Sequence, residues 1–219
     1  MQRDSRARRA PPLLAALCAV AVAGAALAAP PPAAPFAPPA WPPGTGGGGS
    51  TVANDPVRPL NLGKLRVLLE STELATVRNA AATGTIVHQG NGSDALSFLC
   101  YTVAEAEPPQ RLWFSSSELA GSGRIDGIEA VELPAGAAAT PACPALPASL
   151  QPMHFDDGLW LGALSAEQKR AYGTAAQRSG PWSASFHGRH GSVDVLGSLV
   201  VDLRKGRAVG LYVAHASQN

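Results

Sequence analysis

Charge is the first thing this chain is short of. Only 15% of its 219 residues are Asp, Glu, Lys or Arg, against roughly a quarter in an average soluble domain. The two signs nearly cancel, at 17 basic and 16 acidic residues. Arg3, Arg6, Arg8, Arg9 and Asp4 all precede the first apolar run, so the chain beyond residue 28 holds 13 basic and 15 acidic groups. That balance excludes a strongly basic nucleic-acid binder, because neutralising phosphates takes clustered Lys and Arg. Aromatic residues are scarce as well, at 5%. The 46% apolar content is largely Ala, so the chain is too apolar to be disordered throughout yet has few large core side chains. Several catalytic spacings are missing altogether. There is no H-E-x-x-H, no paired C-x-x-C and no G-x-S-x-G elbow, and the glycine run at 46–49 is not followed by the Gly-Lys-Ser/Thr of a phosphate loop.

What is there begins with an export segment. After the Arg-rich start, Leu13 to Ala25 is an apolar run, and Ala26-Leu27-Ala28 supplies the small residues that signal peptidase accepts. Residues 1–28 therefore read as a signal peptide, with the mature chain starting at Ala29, and the expected location is periplasmic or secreted. The alternative is an uncleaved anchor, since Leu13–Ala29 gives 17 uncharged residues, near the lower limit for a spanning helix. Only then would the protein contact a membrane. Loss of Cys18 with the signal leaves Cys100 and Cys143, an even pair that an oxidising compartment joins most simply as a disulfide.

Residues 29–54 read as a disordered spacer, because positions 30–50 alone hold eight prolines and five glycines. Residues 55–133 form a first unit. Ser71-Thr72-Glu73 precedes a short amphipathic helix that Gly84 closes, and strands follow at 85–89, 95–103, 111–116 and 124–133. Along the second of these, Phe98, Cys100 and Thr102 share one face and Leu99, Tyr101 and Val103 the other, a pattern of burial on both sides. Residues 134–152 are too rich in Pro and Ala for a regular element and read as a connecting loop. In a second unit, residues 153–219, Ser165-Ala166-Glu167-Gln168 is a capping box for a helix running to Tyr172 and stopping at Gly173. Strands follow at 182–187, 193–203 and 207–215, with Lys205-Gly206 as the last turn. Gly123-Arg124 and Gly206-Arg207 occupy the same place in each unit. The expected fold is α+β: two short helices packed on antiparallel sheet, in two related α-β-meander halves.

The pattern G-x-x-S-x-x-Q-x-x-x-Y-G at Gly162–Gly173, followed by antiparallel strands, resembles the small helix-plus-sheet modules of the β-lactamase-inhibitor-like and SmpA/OmlA outer-membrane lipoprotein families. The resemblance covers about a dozen residues as sequence and residues 55–219 as architecture. It departs from the families at Thr174-Ala175, where a proline is usual, and in lacking a lipid-bearing cysteine. It implies a protein-binding module without catalysis, and no catalytic residue carries over.

Few side chains suggest chemistry directly. His154 and Asp157 in one segment, with His187 and His190 in another, carry ligand types suited to a zinc or calcium site. The stronger reading of the same residues is as polar turns: His187-Gly188-Arg189-His190 between strands, and Asp156-Asp157-Gly158 before the helix. No cofactor is expected. Trp113, Trp160, Trp182 and Tyr212 are candidates for a binding surface, since Trp and Tyr are the favoured anchors of interfaces; the same large side chains also suit the core of an Ala-rich domain. The expected function is an exported, non-catalytic binding or inhibitor-like module with a protein partner in the envelope or outside the cell. An exported hydrolase with an unrecognised site, and a membrane-anchored envelope tether, are the alternatives.

Overall fold

The computed structural model describes residues 36–39, 50–92, 95–117, 123–173 and 180–218. The expected signal segment and most of the expected spacer lie outside these residues. Along the chain run β1 (Ser50–Thr51), β2 (Leu60–Leu62), β3 (Leu65–Val67), α1 (Leu74–Ala81), β4 (Val87–Gln89), β5 (Leu96–Val103), β6 (Gln110–Ser117), β7 (Gly127–Glu132), β8 (Met153–Phe155), β9 (Gly162–Ala163), α2 (Ala166–Tyr172), β10 (Gly180–His190), β11 (Val193–Arg204) and β12 (Arg207–Gln218). The architecture is α+β and dominated by sheet.

Two meanders, β4 to β7 and β10 to β12, join into one sheet through their last strands. The order is β1-β10-β11-β12-β7-β6-β5-β4, with β9 pairing onto β12. Neighbours are antiparallel, except that β1 runs parallel to β10. Leu211 of β12 faces Ala130 of β7 across the junction. Local chemistry sets the registers: Lys205 and Gly206 both take positive φ, at 50° and 76°, the backbone of a two-residue hairpin turn.

One face of this sheet carries the core. Leu99, Tyr101, Leu112, Phe114, Ile128, Leu199, Val201, Leu211 and Val213 meet Leu74, Val77 and Ala81 of α1, Tyr172 of α2, and the buried side of a small sheet. That small sheet has the order β3-β2-β8 and brings in Leu60, Leu62, Val67, Met153 and Phe155. It was not expected from the sequence. Its strands have three residues each, and β8 joins β2 across more than ninety positions, so no local periodicity announces it.

The loop expected at 134–152 is irregular but closely attached. Short β4 leaves the far half of β5 as an open edge, and the loop pairs with it: the Thr102 amide donates to Pro144, and the Leu146 amide to Thr102. Cys143 is bonded to Cys100, with Cα atoms 4.7 Å apart. Phe98 to Val103 are buried without a break, core on one side and loop cluster on the other.

The ends of α1 are set by the backbone. Glu73 is the N-cap, makes no side-chain cap bond and pairs its backbone with Arg124. The helix closes at Ala82 in the left-handed region, before Gly84. Within the expected spacer, Phe36–Pro39 are half-buried and Ser50–Thr51 form β1. Ser165 does cap α2, with the reciprocal bonds Gln168 N to Ser165 Oγ (3.1 Å) and Ser165 N to Gln168 Oε1 (2.8 Å).

Candidate functional site

The opposite sheet face has a groove. Registers place Ser115, Gly127, Ala214 and Ser198 side by side on β6, β7, β12 and β11, a lane of small residues running across the strands. In the next row to one side stand Trp113, Glu129, Tyr212 and Val200; Leu96 and Leu196 rise on the other. Small side chains between taller rows make a trough, with a volume of about 390 Å³. Gly127 leaves the Ser115 hydroxyl its place, since a Cβ there would crowd Ser115 Oγ.

Two carboxyls, Asp126 and Glu129, line the groove together with Tyr212 and His215, and among the described residues no Lys or Arg does. Burial pushes the Asp126 carboxyl up, and Glu70's charge adds to this, outweighing the lowering by hydrogen bonds from Ser117. The Ser117 amide donates to Asp126 Oδ2 at 2.9 Å, and the Ser117 hydroxyl donates to the same oxygen. Tyr212 is pushed up to about 12, by burial first and then by Glu129 and Asp126.

At the groove's end His215 faces the covered side between two carboxylates. Its Nδ1 lies 2.6 Å from Glu70 Oε2 and its Nε2 3.2 Å from Asp55 Oδ2. Glu70 also accepts from the Ser217 amide and hydroxyl, each at 2.6 Å. Burial alone would raise the Glu70 carboxyl, but the hydrogen bonds from Ser217 and His215 hold it below its ordinary value. Gly197, opposite His215 on β11, lets Asp55 approach; a Cβ there would meet its Oδ1 at 2.4 Å. With each ring nitrogen directed at a carboxylate, the imidazole has none left to take a proton from a substrate. It clasps the segment before β2 and the turn before α1 to the last strand.

The residues singled out from sequence are scattered. Trp160 packs against the core, its Nε1 donating to Gln110 Oε1 at 2.9 Å. Trp182 packs against Tyr172 in a tilted arrangement, with ring centroids 4.6 Å apart and planes at 54°. Trp113, only 5% exposed, lies on the groove face under Phe36, and Tyr212 alone of the four lines the groove itself. His154 is on β8, in the small sheet. Asp157 Oδ1 accepts from the Leu159 amide, and His187 lies on β10 of the large sheet. His190 ends that strand, and its side chain lies outside the described residues. Among the described residues no group of three or more His, Cys, Asp or Glu is placed to hold a metal ion. Sequence reasoning did not connect Asp55, Glu70, Asp126 and His215, which no spacing links.

Comparison with known proteins gives no match: no family model fits the chain, and neither a curated protein nor a solved structure is significantly similar to it. Among the described residues no helix is long and apolar enough to cross a membrane. The disulfide is compatible with an oxidising compartment.

Proposed function

We propose that this protein is an exported binding module that receives a basic segment of a protein partner in the groove on its uncovered sheet face. The observation that carries the reading is the lane Ser115-Gly127-Ala214-Ser198 between taller rows. Its walls carry Asp126, Glu129 and the Tyr212 hydroxyl, with no Lys or Arg among the described lining residues. A cationic side chain supplies donors and the opposite charge. The arrangement suits the inhibitor-like modules that the Gly162–Gly173 pattern resembles, and export fits the disulfide.

We take the two meanders as diverged copies. In support, each Gly-Arg pair meets the residues just before its own helix: Arg124 bridges Glu73 before α1, and Arg207 pairs Ala163 before α2.

The hydrolase alternative has one observation in its favour, that the groove holds a histidine and a carboxylate of raised pKa. The engagement of both His215 nitrogens weighs against it.

A photo-crosslinking residue at Leu196, 41% exposed on the groove's rim, tests the binding reading in the envelope fraction. It should trap a discrete partner through a Lys- or Arg-containing peptide, while the same probe at Lys169 on α2 should not. Equal trapping at both positions, or trapping at Lys169 alone, would contradict the reading.

A further inference from the structure

Beside the groove lies a second, smaller recognition surface, and it is occupied. Phe98, Cys100, Trp113 and Cys143 form a buried cluster separate from the main core, and Phe36 and Ala37 pack against it with Val87, Leu96 and Val131. Two contacts and a backbone conformation define how Phe36 is held. The Trp113 indole N–H donates to the Phe36 carbonyl at 2.9 Å. The Arg111 guanidinium lies over the Phe36 ring, 5.3 Å from its centroid, a cation–π placement. The Phe36 backbone has φ of +75°, a conformation that a bulky residue seldom adopts unless its surroundings impose it. Phe36 therefore sits as a ligand sits, with its ring, its carbonyl and its backbone each engaged.

The sequence around Phe36 matches that geometry. Ala37-Pro38-Pro39 follows, and proline-flanked segments dock on aromatic-bearing surfaces because their extended backbone is already fixed, so little conformational entropy is lost. The seat itself is rigid, since Cys100 is bonded to Cys143 and Trp113 is on a central stretch of β6. Arg111 Nε is buried without a hydrogen-bond partner among the described residues, a donor suited to a further peptide carbonyl.

We propose that the Trp113–Arg111 seat is a binding site for short peptides of the type Phe-Ala-Pro-Pro, and that the chain's own Phe36–Pro39 fills it in cis. A competing peptide of the same chemistry would have to displace this internal ligand. The proposal stands on residues other than the groove's floor, so its failure leaves the groove reading as it was.

The test uses the full-length chain and a labelled peptide of residues 33–40, Ala-Ala-Pro-Phe-Ala-Pro-Pro-Ala, followed by fluorescence anisotropy. Phe36→Ala should empty the seat and bind the peptide saturably, at least tenfold more tightly than the wild type. Trp113→Phe in the same background should weaken that binding about tenfold, and the peptide with Ala in place of Phe should not bind. Equal binding to wild type and Phe36→Ala, or no binding by a natively folded Phe36→Ala, overturns the proposal. Should circular dichroism show that Phe36→Ala is unfolded, Phe36→Leu, which keeps apolar bulk but drops the ring, is read by the same two outcomes. Sedimentation of the wild type separates the sources of the ligand: a monomer is expected, and a dimer abolished by Phe36→Leu would overturn the assignment in cis.

Discussion

Glu70 and Asp126 are half-buried carboxyls near one another with opposite effects on stability. Glu70 has a folded pKa below its unfolded value. It therefore contributes stability that is present above the ordinary carboxylate range and lost as pH falls through the depressed value. Asp126 has a raised folded pKa, so its contribution is present below that range and lost as pH rises through it. Glu70→Gln should cost on the order of 2 kcal/mol at pH 7, the scale of losing hydrogen bonds to a charged group, and the deficit should shrink below about pH 4. Asp126→Asn keeps an oxygen for Ser117 and removes a desolvated charge. It should melt at or above the wild-type temperature at pH 7, with that advantage fading in acid. Thermal melts between pH 3 and 7 check both, and a loss of stability in Asp126→Asn at neutral pH would contradict the account. None of this was legible in the sequence. His215 stands 145 residues from Glu70 and 160 from Asp55, and only the pairing of β12 with β11 and β7 brings them together. The tryptophans carried two readings from the sequence, interface anchor and core. Trp160 and Trp182 pack against the main core, and Trp113 belongs to the second cluster.

Elements whose signals are local were readable. Lys205-Gly206, the Ser165-Gln168 box and the apolar runs of β5, β6, β11 and β12 each declare themselves within a few residues. The end of α1 was not readable in the same way, since the chain turns left-handed at Ala82, two residues before Gly84. The disulfide lies between these cases: the even count pointed to it, while the use of its loop to cover the exposed edge of β5 depends on how short β4 is. Cys100 and Cys143 close a loop of 43 residues, worth roughly 4 kcal/mol in the chain-entropy model. Oxidised protein should resist thiol labelling when native, and reduction should lower its melting temperature by roughly 10 °C. Two freely labelled cysteines in native exported protein would contradict the pairing. Helix α2 provides a smaller test of the same local logic. Ser165→Ala should cost about 1 kcal/mol in chemical denaturation, and a cost near zero would mean that tertiary contacts through Tyr172 hold the helix unaided.

For the whole molecule, the division of labour is between two faces of one sheet. Helices and the small sheet cover the first, which is why most apolar positions were recognisable as core. The second keeps small and acidic residues in its middle, and sequence alone gave no reason to see Ser115, Gly127, Ala214 and Ser198 as neighbours, because a transverse row becomes visible only once register is known. Export adds a prediction of its own: the protein recovered from outside the cytoplasm should begin at Ala29, and recovery of full-length chain only in membranes would favour a retained anchor. The most direct measurement concerns the groove. Ala214 sits at the centre of the lane, and Ala214→Leu fills it without touching the core on the other face. Titrated against the partner trapped at Leu196, the variant should bind at least tenfold more weakly than the wild type while melting at the same temperature. Unchanged affinity in a natively folded Ala214→Leu would show that the groove is not where this protein binds.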